Sequence, residues 1–278
     1  MQLTEQQIDY FRTFGFLKFP GLLADQIHDI DDAFESIWGE RGGGHNGKAH
    51  DGKARSCIVP FIDQSERLCQ LLDHPGIEDI ASSLLGDDFN YSGSDGNYYV
   101  GDTNWHSDGW RPPTDYLYIK MAIYLDPLTK DTGCLRVIPG SHHLGDWFSD
   151  TLQANIRRPQ ESWGLHGQEV PAIALETTPG DLLVFDHNTK HASFGGNTHR
   201  RMFTINLSQR YRDEDLGRLR EQIGAHARFW IDRAYGEKMM RTAGPKRLRH
   251  LEQVMNNDGH LAELTRQAKL RMPEPARG

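Results

Sequence analysis

The chain has 278 residues, 37% hydrophobic and 25% charged, which is enough to bury a full core and suits a single barrel-type domain spanning 1–278. A net charge of −8 offers no basic stripe for displacing counterions from phosphates, so nucleic acid is excluded as a partner. No apolar run is long enough to cross a bilayer, and the polar start MQLTEQQIDYF reads as neither signal nor transit peptide, so a cytoplasmic protein without a membrane partner is expected.

Thr4 followed by Gln7 is a capping box that opens a first helix, and FGFLKF (Phe14–Phe19) reads as a short strand ending at Pro20-Gly21. A second helix is expected from about Asp25 to Trp38, with Ile27, Ile30, Phe34 and Ile37 near helical spacing. The glycine-rich segment Gly39–Ser56 has no hydrophobic period and reads as a mobile loop, either a plain surface connection or a lid. Two short helices fill Gln64–Leu85 and complete an N-terminal helical part, 1–86.

From residue 87 to 210 the texture changes to strands. Candidates are Asn97–Val100, Tyr116–Leu125, Leu135–Ile138, Ala172–Glu176, Leu182–Phe185 and Met202–Ser208, several separated by Pro-Gly or Gly-Gly turns. Many strands without interleaved helices argue for an antiparallel barrel or jelly roll, so the fold class expected is mainly β with flanking helices. Residues 211–278 return to helical spacing, with Leu216, Leu219, Ile223, Leu248, Leu251 and Met255 forming apolar faces. Those faces either cover the barrel or form a homodimer, and the sequence leaves both open. Cys57, Cys69 and Cys134 are too scattered for a disulfide framework or a metal clip.

With 14 histidines in the chain, a lone histidine means little. His106 and Asp108, in NWHSDGW, are separated by one residue and project from the same side of an extended chain. A third ligand from a distant strand would complete the two-histidine, one-carboxylate triad that leaves coordination positions open for oxygen chemistry at iron(II). His191 begins a strand in GDLLVFDHNTKHASFGGNTHRRMFTINL and is the candidate. His187 sits in the turn before that strand and reads as an ordinary loop histidine.

Arg200 and Arg201 lie on opposite faces of the next strand, so only one can face a site. Phe203, Ile205 and Leu207 share the parity of Arg201. Arg200 shares that of Met202, Thr204 and Asn206, the more polar face, and is chosen to clamp a dicarboxylate. In the strand before, Tyr118, Lys120, Ala122 and Tyr124 alternate with Leu117, Ile119, Met121, Ile123 and Leu125. Turned inward, Lys120 would need an anionic partner, either 2-oxoglutarate or an acidic substrate.

NWHSDGW, IKMAIYLDPLTKDTGCLRVIPGSHH and GDLLVFDHNTKHASFGGNTHRR together resemble the phytanoyl-CoA dioxygenase family of iron(II)/2-oxoglutarate oxygenases, over roughly Gly96–Ser208. The resemblance implies a double-stranded β-helix (cupin-like) core and Fe(II) on His106, Asp108 and His191. It also implies that Arg200, helped by Ser193, binds 2-oxoglutarate, with O2 as second co-substrate. The hairpin between His191 and Arg200 is two residues shorter than often found in the family, which preserves strand parity. Similar iron halogenases carry a small residue where Asp108 stands, so hydroxylation or desaturation of a C–H bond is implied. Tyr99, Trp110, Tyr118 and Tyr124 are candidates to line a pocket for a small molecule, with Lys120 bringing in an anionic option. The competing readings are a cupin-like metal protein with other chemistry and a hydroxylase of an acyl-CoA or carrier-bound substrate.

Overall fold

Strand alternation sorts this chain into an outer apolar face and an inner mixed one. The computed structural model describes residues 2–109 and 115–278, and eleven strands run through them. They are β1 (Phe16–Phe19), β2 (Ser56–Ile58), β3 (Phe89–Gly93), β4 (Gly96–Tyr99), β5 (Thr103–His106) and β6 (Tyr118–Tyr124). β7 (Leu135–Val137), β8 (Ile173–Leu175), β9 (Leu182–Asp186), β10 (His191–Ser193) and β11 (Arg200–Gln209) follow. One sheet has seven strands, ordered β1-β9-β6-β11-β4-β2 with β3 also paired to β11, and a second has four, β5-β10-β7-β8. The pairings are antiparallel.

The inner faces meet in an apolar cluster that joins Phe16, Tyr124, Phe185 and Met202 of the larger sheet to Leu135, Val137 and Leu175 of the smaller. This is the expected jelly roll. On the outer face Ile119, Met121, Ile123, Phe203, Ile205 and Leu207 belong to the largest core cluster, with helix residues such as Phe34, Ile80, Leu219 and Leu251. Phe203 has no exposed surface, so Phe203→Ala would cost about 3–5 kcal/mol in lost burial and cavity formation. The C-terminal helices therefore lay their apolar faces on the sheet, one of the two roles the sequence left open for them.

The Thr4 capping box is present, and the first helix (Glu5–Phe14) ends at Gly15 with φ +83. A side chain there would meet Thr189 Oγ1 at 2.6 Å. Gly15 O instead accepts from Asp186 N at 2.9 Å and Thr189 Oγ1 at 3.1 Å, which pins the helix end to the turn before His191. The second helix starts at Ile27, after a short turn at Ala24–Gln26, and runs to Glu40. The strand division expected at residue 87 runs through one sheet, because β1 and β2 pair within it. Two further helices, Trp147–Asn155 and Pro159–Trp163, were not evident from spacing.

The mobile-loop expectation for Gly39–Ser56 is corrected. His45 is buried, its ring nitrogens 3.0 Å from Cys57 O and 2.9 Å from Pro275 O. His50 bonds Ser56 Oγ at 2.8 Å and Thr198 O at 2.7 Å. Residues 274–277 strap the segment down, with Arg277 Nη1 donating to Arg55 O at 2.8 Å and Ala276 N to Arg228 O at 2.8 Å. Long-range partners supply the order that a hydrophobic period does not. The three cysteines are free and buried, and no helix among the described residues is long and apolar enough to cross a membrane.

Candidate metal centre

β5 and β10 pair so that His106 lies directly opposite His191. Their rings stand 4.2 Å apart. Each Nδ1 faces a backbone carbonyl, Asn104 O at 2.8 Å and Thr189 O at 2.9 Å, which commits Nδ1–H as donor and leaves Nε2 as the free lone pair. Asp108, just beyond β5, is held by its N–H donating to His187 O at 2.8 Å. Its Oδ1 lies 3.7 Å from His106 Nε2 and its Oδ2 3.5 Å from His191 Nε2. The three ligand atoms fall within 4.8 Å of one another, the one such group among the described residues. Two imidazole nitrogens and one carboxylate oxygen suit a divalent first-row metal.

Electrostatics keep the ligands in their binding forms. Burial works against ionising Asp108, but Lys120, with Nζ 2.6 Å from Oδ2, and the neighbouring histidines hold the carboxyl well below the usual range. Burial, reinforced by His106, pushes the His191 imidazole down to about 3, so the ring is neutral and its lone pair available. The pair lowers the cost of burying either charge. Burial would pull the Lys120 ammonium down, yet Asp108 and Asp95 hold it above its ordinary value.

β11 turns Arg200 inward and Arg201 outward. Arg201 is spent on Asp126, Asp31 and Glu35, at 2.9, 2.7 and 2.7 Å. Arg200 is 2% exposed and lines the cavity that holds the triad. Its Nη1 donates to Gly133 O at 3.0 Å, while Nε is buried without a partner. Ser193 Oγ donates to the same Gly133 O at 2.8 Å, so Ser193 and Arg200 converge. Gly133, from GCLRV, has φ +95, and a Cβ there would lie 2.0 Å from Arg200 Nη1. Only glycine admits the guanidinium. The following turn in the same motif acts on His191: Ser141 Oγ accepts from Lys190 N at 2.8 Å, and β7 pairs His191 with Val137.

The remaining expected residues divide between the two ends of the cavity. Tyr99 lies beneath Arg200 and Arg55, 5.2 and 4.4 Å from ring centroid to guanidinium, and Tyr124 lines the same wall. Tyr118 lines the opposite end, its hydroxyl 2.9 Å from that of Tyr211. Lys120 faces the cavity but is joined to Asp108. Trp110 lies outside the described residues.

Sequence reasoning missed four residues that the cavity, about 490 Å³, brings together: Arg55, Asp95, His187 and Asn206. The inward parity of Asn206 was a usable signal. Arg55 was hidden in the glycine-rich segment; its Nη2 meets Asp95 Oδ2 at 3.1 Å. His187 is a cavity residue and not an ordinary loop histidine: it is buried, and burial plus Lys120 push it down to about 4.

The sequence model of the phytanoyl-CoA dioxygenase family matches residues 11–203, well over half of the chain. The chain belongs to the phytanoyl-CoA dioxygenase family. A search of curated proteins finds no match. Among solved structures, EctD from S. alaskensis with 2-oxoglutarate and 5-hydroxyectoine is similar at 23% identity and TM-score 0.55, covering 74% of this chain and 76% of that one. The non-heme alpha ketoglutarate dependent carbocyclase SnoK from nogalamycin biosynthesis is similar at 20% and 0.56, covering 74% and 84%. The epimerase SnoN, with Fe3+, alpha ketoglutarate and nogalamycin RO, is similar at 18% and 0.56, covering 74% and 82%. At these identities they establish that this family member shares their fold.

Proposed function

We propose that this family member is an iron(II)- and 2-oxoglutarate-dependent oxygenase that hydroxylates an aliphatic C–H bond of a small molecule. One observation carries the reading: the ligand atoms of His106, Asp108 and His191 converge in the cavity into which the buried, half-partnered Arg200 also points. Bound iron(II) would supply the redox chemistry that couples reduction of O2 and loss of CO2 from 2-oxoglutarate, leaving succinate, to oxidation of the substrate.

The chain's own residues hold and orient. His106 and His191 offer Nε2 because their Nδ1 protons are committed to carbonyls, and Asp108 stays ionised beside Lys120. Arg200, fixed on Gly133 O, meets the distal carboxylate of 2-oxoglutarate, with Ser193 at its side. Tyr99 and Tyr124 then flank the co-substrate, and Tyr118 belongs to the substrate end. Lys120 serves as the partner of Asp108 in this reading, in place of the 2-oxoglutarate contact expected from the strand pattern. The cavity volume suits a small metabolite. SnoK and SnoN are named as a carbocyclase and an epimerase, so the product must be read directly.

The test supplies Fe(II), 2-oxoglutarate and O2 with a metabolite panel and measures succinate alongside product mass. Succinate formation matched by a product with one added oxygen atom is expected, and Asp108→Ala is expected to bind no metal and form no succinate. If the wild type forms no more succinate than Asp108→Ala under every condition, the reading fails.

A further inference from the structure

His187 and Asn206 occupy the part of the cavity that neither the metal ligands nor Arg200 explains. His187 is 7% exposed, and the Asn206 side chain lies within hydrogen-bonding reach of its ring. It does not belong to the group of converging metal-ligand atoms. Its backbone N–H donates to Tyr118 O at 3.0 Å, which sets the ring beside β6. Across from β6, Asn206 of β11 stands directly opposite Lys120.

The Asn206 amide cannot turn over. Nδ2 donates to Gly93 O and Thr204 Oγ1, both at 3.2 Å, and a carbonyl oxygen can only accept. Thr204 is in turn bonded to Asp95, which Arg55 holds. Asn206 Oδ1 is thereby turned to the His187 ring, which is within reach to donate to it. One nitrogen of the His187 ring, on a cavity-lining side chain, is then left without a protein partner.

The geometry points to a substrate that carries a hydroxyl or amino group where it passes His187 and Asn206. This deepens, and rests on, the oxygenase reading above. The substrate class is then a hydroxylated or aminated small molecule and not an unsubstituted acyl chain. With one ring N–H committed to Asn206 Oδ1, the other ring nitrogen of His187 accepts from a substrate O–H or N–H. A hydrocarbon in the same place would leave that nitrogen buried and unpaired. Sites built to hydrogen-bond a substrate group reject analogues lacking it far more strongly than apolar pockets reject an added hydroxyl.

The test has two arms. In the first, the thermal midpoint of the metal-loaded protein is compared between wild type and His187→Phe. The ring has only its Asn206 contact to lose, so the midpoint is expected to fall by no more than about 4 °C; a larger fall would mark a structural histidine and overturn the inference. In the second, substrate-dependent succinate release is measured over carbon skeletons paired with and without hydroxyl or amino groups, straight-chain acids and their acyl-CoA esters included. The substituted member is expected to win by about tenfold or more, with the preference lost in His187→Phe and partly kept in His187→Gln. Preference for the unsubstituted member, or a preference unchanged in His187→Phe, overturns the inference and leaves the oxygenase reading standing. Complete absence of succinate, together with failure to bind 2-oxoglutarate, would sink the oxygenase reading and this inference with it.

Discussion

The two ends of the cavity are built on different principles. At the His106–Asp108–His191–Arg200 end, each working group is held by a protein partner: carbonyls hold the two Nδ1 atoms, Lys120 holds Asp108, and the Gly133 carbonyl holds Nη1 of Arg200, whose Nε stays open. At the His187–Asn206 end, the Asn206 amide reaches one ring nitrogen of His187, and the other stands buried and unpaired. Pre-satisfied groups orient reagents that are the same in every turnover. Unpaired groups, each costing about 1–3 kcal/mol when buried, are tolerable where a ligand completes them. On the proposed function, the comparison separates machinery from recognition within one cavity.

Substitutions at the first end should act on metal and co-substrate in a fixed order of size. Arg200→Ala is expected to weaken 2-oxoglutarate binding about 100-fold, since it removes a buried guanidinium facing a carboxylate. Gly133→Ala should act in the same direction without touching a charge, because its Cβ would collide with Arg200 Nη1; titration calorimetry with 2-oxoglutarate reads both. Lys120→Met is expected to weaken metal binding about 10-fold by freeing the Asp108 carboxylate, read by competition with a chelator. If it weakened 2-oxoglutarate binding alone, Lys120 would belong to the co-substrate. Arg201→Ala should do the least to the site: about 1–3 kcal/mol of stability lost with its carboxylate partners, a Tm several degrees lower, and unchanged 2-oxoglutarate affinity.

Much of the first end was legible in the sequence because it is written in strand parity. Alternation along β11 separates Arg200 from Arg201, and alternation along β6 turns Lys120 and Tyr124 inward. One-residue spacing puts His106 and Asp108 together at the end of β5. The second end was illegible for equally physical reasons. His187 is brought inward by a turn, where no period applies, and its burial depends on β6 and β11 closing over it. Arg55 follows a stretch whose order comes from residues 274–277, more than 200 positions away. The cavity wall near Arg228 and Phe229 comes from the C-terminal helical part, whose spacing shows only that it packs. Periodicity reports which face is inward, but not which inward groups lack partners.

The most direct test of the central claim is an anaerobic titration of the Fe(II)-loaded protein with 2-oxoglutarate, followed in the visible range. The account predicts a weak charge-transfer band that saturates at one equivalent in wild type, needs far more 2-oxoglutarate in Arg200→Ala, and is absent in Asp108→Ala. A wild-type protein that binds iron yet gives no band, or a band unaffected by either substitution, would contradict it.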